Sequence, residues 1–429
     1  MSSTTVPTVN RWMVLWGSVA ILVCTGAIYA FSVFAGPMSA EHGWTMGQVM
    51  LAFTINGAVA PIPMIFGGYI IDRGGARWSI MIGAILFAIG FILTGTAGTT
   101  TTLYLYYGLI AGLGQGFAYS GCLNNTIKLF PDRRGMAAGI ITAGMGAGSV
   151  IAAPVAQKLI GSVGVGGTFI RMGIVYGVVV IVAALFIRPA PEGYAPAGWT
   201  PPTGASAVVH STWKQMVRTP AFFLIFVMLG AGAFSGLMIA SQLSTIAQTS
   251  MFGITAATAA VFVSVYSICN ALGRFAWGAV SDRIGYTNAI GIIFGVVALS
   301  MVVLLTMHST FGFVVGIVGL GLCFGGVMGV FPALTMTTYG PRFQGVNYGI
   351  LFSAYSVAAY FGPKVGASLG GVDRAVPGSG DYTTPFLIAI VVALVGLGLS
   401  LALSKVLAAA KASAAIVAET ADPAPVASR

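Results

Sequence analysis

A chain of 429 residues that is 57% hydrophobic, only 7% charged and carries 60 glycines has the composition of a membrane protein, with a mean hydropathy of +0.95. A soluble core cannot hide that much apolar surface, whereas a bilayer about 30 Å thick takes roughly 20 apolar residues per helical crossing. The net charge of +10 is spread over short loops instead of forming one patch, which argues against a nucleic-acid partner and makes charge a report on topology.

Apolar runs in chain order place spans near 12–36, 47–71, 78–97, 103–126, 135–160 and 168–188. A second set follows near 220–247, 255–280, 288–307, 312–339, 345–370 and 383–405. Backbone polar groups in lipid must be satisfied within the chain, so these runs are expected to be helices. The first is too long for a signal-peptide core and reads as a retained helix. The four cysteines fall inside the spans without metal-ligand spacing and read as packing residues; no metal or cofactor is expected.

Span 1 carries Tyr29 and span 2 carries Asn56. The turn after span 2, GGYIIDRGGARW, holds Asp72 and Arg73. Span 4 contains GLGQGFAY, ending at Tyr119, and then Asn124; span 5 contains Met145 among Gly139, Gly144, Gly146 and Gly148. Small residues at such spacing let helices approach closely.

From Pro189 to Gln215 the chain is rich in proline and small polar residues and lacks apolar periodicity, as a linker does. The expected organisation is a six-helix half over 1–188, a cytoplasmic linker over 189–219, a second half over 220–405 and a tail over 406–429. With the N-terminus inside, the inner loops and flanks hold most of the basic residues, among them Arg11, Arg77, Lys128, Arg133, Arg134 and Lys405. The outer side keeps Lys158, Arg171, Arg374 and Lys364. That asymmetry predicts a multi-pass protein of the plasma (inner) membrane with both termini in the cytoplasm.

Span 8 raises the main question, because Arg274 lies eight residues before the inner loop, about 12 Å into the bilayer. An arginine there costs roughly 2.5–3.5 kcal/mol on insertion scales, so it should face a watery cavity or a partner. Val263, Ser267, Asn270 and Arg274 recur at spacings of four, three and four, which makes one stripe the cavity face. Of the nine acids none lies in the middle of a span, leaving carbonyls, hydroxyls, water or a mobile anion as partners. A planar guanidinium takes a carboxylate through two parallel hydrogen bonds, so the expected ligand is a small organic anion, with a carbonyl-held arginine as the alternative.

The loop after span 8, GAVSDRIGYTN, repeats the earlier turn with Asp282 and Arg283. Phe324 in span 10, and Phe352 and Tyr355 in span 11, join Tyr29 and Tyr119 as candidate pocket walls, with Asn56, Met145 and Asn124 as further candidates; for each, plain packing competes with binding. Lys364, nine residues beyond Tyr355, falls on the opposite face of a straight helix and is expected to snorkel outwards, with substrate binding as the alternative because Pro363 can alter that geometry. His42, His210 and His308 are not placed as proton relays. Neither a nucleotide-binding motif nor a nucleophile with a base occurs in the spans, so no enzyme is expected.

The two D-R turns, at equivalent places in a twelve-span chain, resemble the signature of the major facilitator superfamily. NRWMVLWGS, AIYAFSVFAGPMS and KLFPDRRGMAAGIITAGMGAGS look like the oxalate/formate antiporter family and the related monocarboxylate porters. The resemblance implies an all-α membrane protein of the major facilitator fold, with twelve transmembrane helices in two six-helix halves around a central cavity. It implies gating by Asp72, Arg73, Asp282 and Arg283, and binding of the substrate carboxylate by Arg274. An aspartate of many monocarboxylate porters is replaced by Asn270, and a lysine of the oxalate/formate antiporters by Tyr355. A dicarboxylate would then leave about one negative charge without a fixed partner. The expectation is therefore a monomeric secondary transporter of a small monocarboxylate such as lactate, pyruvate or formate, by proton symport or anion exchange. The alternative is an oxalate/formate-type antiporter.

Overall fold

A computed structural model describes residues 9–191, 194–196, 198–199, 210–371 and 379–421. Each apolar run is helical, and local chemistry sets the ends. Span 1, Arg11–His42, starts where the Asn10 side chain accepts from the backbone N–H groups of Trp12 and Met13, and stops at Gly43, whose φ of 68° is left-handed. Span 2, Met46–Asp72, opens on a capping box between Thr45 and Gln48. Span 3 is Ala76–Thr94 and span 4 runs over 100–128. Spans 5 and 6 form one helical run, Arg134–Phe186, broken at Gly164, where φ 72° and ψ 175° suit only glycine. Spans 7 to 12 are Pro220–Gln248, Ala256–Ile284, Tyr286–Thr306, Thr310–Tyr339, Gln344–Leu369 and Thr383–Ala421.

Three spans of the first half are interrupted. Span 1 tightens to a 3₁₀ stretch at Gly26–Ala30, span 2 breaks before Pro61, and span 4 widens to π turns over Tyr104–Ala111. Irregular turns release backbone carbonyls, which need another donor in a membrane. The Asn56 amide supplies one, donating to the Tyr107 carbonyl at 2.9 Å.

Span 8 packs against span 5, and span 11 against the second part of span 2, so the two halves meet along two equivalent seams. Span 8 turns Val261, Ile268 and Leu272 outwards and buries Asn270 and Arg274. At the end of the bundle carrying Arg11, Lys128, Arg133 and Arg134, called here the basic end, the Asn125 side chain fixes the chain leaving span 6 through the Arg188 carbonyl and the Ala190 N–H. The other side of the linker is tied by Ser211, whose N–H reaches the Tyr339 carbonyl and whose own carbonyl accepts from Asn347. Most of the linker, with Glu192, and Asp373, Arg374 and the last eight residues lie outside the described residues.

Candidate functional site

Arg274 is only 7% exposed and is held from two sides. Its Nε donates to the Asn270 side-chain oxygen at 3.0 Å, one turn earlier on the same helix, and its Nη1 donates to the Thr142 carbonyl of span 5 at 2.7 Å. The first bond sets the plane of the guanidinium and the second ties span 8 to the opposite half. Of its five N–H groups two are used among the described residues, so Nη2 and one hydrogen of Nη1 remain as a fork for a carboxylate. The carbonyl-held arginine and the anion-ready arginine are therefore the same residue.

Tyrosines gather in its field. Tyr119 of span 4 and Tyr348 of span 11 are neighbours, Tyr355 stands beside Tyr29, and Tyr119, Tyr348 and Tyr355 all feel the charge of Arg274. The Tyr348 hydroxyl is fully buried; among the described residues it reaches no partner in strict hydrogen-bond geometry, its nearest polar neighbour being the Tyr119 hydroxyl, so the two hydroxyls can turn together towards a ligand. Phe352 stacks on Tyr355 at 4.9 Å between ring centroids and touches Tyr119 and Tyr348 at 5.9 and 5.8 Å. Tyr29 sits in the 3₁₀ break of span 1 and is 38% exposed.

The other sequence candidates make different contacts. Asn56 serves the Tyr107 carbonyl, and Asn124 donates to Ser120 within span 4. Phe324 packs its ring on Gly236 of span 7, and Met145 presents its backbone to Gly26 at the break in span 1. Lys364 is exposed; its ammonium donates to the Tyr360 hydroxyl at 3.3 Å and lies 5.2 Å from that ring, away from Arg274.

The basic end is closed by two matching caps. Asp72 accepts from the N–H groups of Gly345 and Val346 at 3.0 and 3.1 Å, at the start of span 11. Asp282 accepts from those of Gly135 and Met136, both at 2.8 Å, at the start of span 5. A carboxylate there meets two free N–H donors and the positive end of the helix dipole. Gly68 meets Gly345, and Gly278 meets Gly135, main chain to main chain, where any Cβ would collide with the opposite backbone. Asp72 and Asp282, Gly68 and Gly278, Gly135 and Gly345, and Met136 and Val346 are each 210 residues apart.

The cations at these caps are not those of the D-R turns. Lys128 pairs with Asp72 at 3.1 Å, while Arg134 stands beside Asp282, which also accepts from the Tyr286 hydroxyl at 2.8 Å. Arg73 instead lies over the Tyr69 ring at 3.4 Å, and Arg283 is exposed; among the described residues neither pairs with a carboxylate. Arg11 adds a cross-tie to Asp132 at 2.6 Å. The signal for Lys128 and Arg134 was the basic run KLFPDRRG, and that for Tyr348 its place one helical stripe below Phe352 and Tyr355.

A family model of the Major Facilitator Superfamily matches residues 17–363 and 231–428. The oxalate:formate antiporter of Oxalobacter formigenes is 28% identical over 402 residues, covering 91% of each chain. Monocarboxylate transporter 12 of Xenopus laevis is 23% identical over 408 residues, 88% of this chain and 85% of that one. Among solved structures, the Major Facilitator Superfamily transporter FucP in the outward conformation has a TM-score of 0.66, covering 91% of this chain and 98% of that one at 16% identity, a likeness of fold.

Proposed function

The chain belongs to the Major Facilitator Superfamily, and we propose that within it this protein is a secondary carrier of small monocarboxylates, of the lactate, pyruvate or formate class, working by alternating access. The observation that carries the reading is a single half-satisfied cation, Arg274, facing a cluster of tyrosine hydroxyls. One guanidinium balances one carboxylate. Tyr355 adds no second charge, and Lys364 is engaged with Tyr360 instead. The Tyr348 and Tyr119 hydroxyls would take the remaining oxygen atoms.

Binding and movement are linked through Arg274 Nη1. A carboxylate that takes the free fork shares Nη1 with the Thr142 carbonyl and draws the guanidinium towards itself, so substrate weakens the tie between spans 5 and 8 that an empty site keeps. With the basic end in the cytoplasm of the plasma (inner) membrane, the Asp72 and Asp282 caps would hold the carrier closed on the inner side. Asn270 carries no titratable proton at the position closest to Arg274, which favours anion exchange over proton symport. The working unit is a monomer without a cofactor.

Oxalate/formate exchange is the second reading, favoured by the 28% identity to the Oxalobacter formigenes antiporter. Purified protein in proteoliposomes separates the two. Lactate, pyruvate or formate uptake that is saturable and stimulated by internal monocarboxylate, without oxalate exchange, supports the proposal; oxalate uptake driven by internal formate overturns it in favour of the second.

A further inference from the structure

Span 7 packs against both span 11 and span 12, which barely touch each other, so a cleft opens on the membrane surface with span 7 as its floor. It encloses about 380 Å³. Gly230 and Ala231 of span 7 and Ala354 and Ala358 of span 11 keep the floor low, between Val357 and Phe361 on one wall and the valines of span 12 on the other. Its lining is wholly apolar, as suits a hydrocarbon chain.

The mouth of the cleft is charged. Val357, Phe361 and Lys364 stand at spacings of four and three, on one stripe of span 11, so the ammonium sits one turn beyond the last apolar wall residue, towards the end opposite the basic one. Tyr360 holds it there by a hydrogen bond and by its ring face. Among the described residues no carboxylate pairs with Lys364, and Asp381, at the start of span 12, is turned onto the Thr383 N–H.

We propose that the cleft between spans 7, 11 and 12 binds an acyl chain of an anionic phospholipid whose headgroup phosphate is taken by Lys364. An apolar slot capped by an aromatic residue and a cation matches the order of groups in such a lipid, tail, interface and phosphate. The proposal is independent of the transported substrate, because no residue of the Arg274 cluster lines the cleft and Lys364 is exposed.

The test is retention of added lipid by the full-length protein in detergent, read by native mass spectrometry. The probes are phosphatidylglycerol and phosphatidylcholine of identical chains, with glycerol phosphate as the soluble headgroup. Phosphatidylglycerol should be retained about fivefold better than phosphatidylcholine, and Lys364→Gln should abolish that preference. Gly230→Leu should lower retention of both lipids; a Cβ at Gly230 makes only ordinary contacts at 3.6 and 3.8 Å, so this variant is expected to fold. Equal retention of the two lipids by the unaltered protein, an unchanged preference in Lys364→Gln, or full displacement by glycerol phosphate would each overturn the assignment.

Discussion

The basic end and the centre of the molecule are built on opposite plans. At the basic end the caps occur twice at a spacing of 210 residues, two aspartates on two helix N-termini with two glycine crossings, although the cations beside them do not repeat. At the centre the repeat fails: the counterpart of Arg274 is Met64 and that of Asn270 is Ala60, both 210 residues away. On the proposed function, the machinery of movement is duplicated whereas recognition is held in one copy, and an anion bound to Arg274 would pull on one of the two seams and not on the other.

The largest expected effect is at the centre. Arg274→Ala should abolish transport while the protein still purifies as a folded monodisperse species, since removing a buried charged donor costs about 2–5 kcal/mol of binding. Arg274→Lys should transport poorly, because an ammonium cannot reproduce the fork.

Next are the caps, where the comparison can be broken directly. Asp72→Asn and Asp282→Asn should each favour opening of the basic end by about 1.5–3 kcal/mol, read as a longer distance between spin labels at positions 78 and 288. The Asp72 variant should shift more, because Lys128 pairs directly with Asp72 at 3.1 Å whereas Arg134 only stands beside Asp282. Equal shifts would mean that direct ion pairing adds nothing to the repeated plan.

Asn270→Asp places a carboxylate beside the Arg274 Nε. At neutral pH it should occupy the guanidinium and depress uptake about tenfold; as pH falls and the new acid protonates, uptake should recover. A pH profile identical to that of the unaltered protein would remove Asn270 from the site. The smallest effect is expected for Tyr348→Phe, which loses one hydroxyl donor, worth about 0.5–1.5 kcal/mol, seen as a KM raised a few fold at unchanged kcat.

Hydropathy made the spans and most of their ends legible, because lipid leaves little choice of secondary structure, but span 1 runs on to His42 and the last helix to Ala421, past the expected ends near 36 and 405. The breaks at Gly26–Ala30 and Tyr104–Ala111 were not legible: neither contains proline, and both lie where another span approaches closely, Met145 at Gly26 and Ile55 at Gly108. Arg274 stood out as a charge in an apolar run, and Asn270 by its spacing from it. Its bond to the Thr142 carbonyl could not be read, since a backbone acceptor leaves no trace in residue type. Asp72 and Asp282 were found as a repeat, but their cations come from the start of another span. A motif confined to its own turn pointed to Arg73 and Arg283 instead, which face outwards.

The central claim is that one arginine holds one carboxylate. It is tested most directly by uptake of labelled lactate, pyruvate and formate, each against oxalate as competitor, in proteoliposomes carrying the unaltered protein or Arg274→Ala. The expected result is saturable uptake of at least one monocarboxylate, weak competition by oxalate, and no uptake above empty vesicles in the variant. Normal flux in Arg274→Ala, or oxalate outcompeting every monocarboxylate, would contradict it.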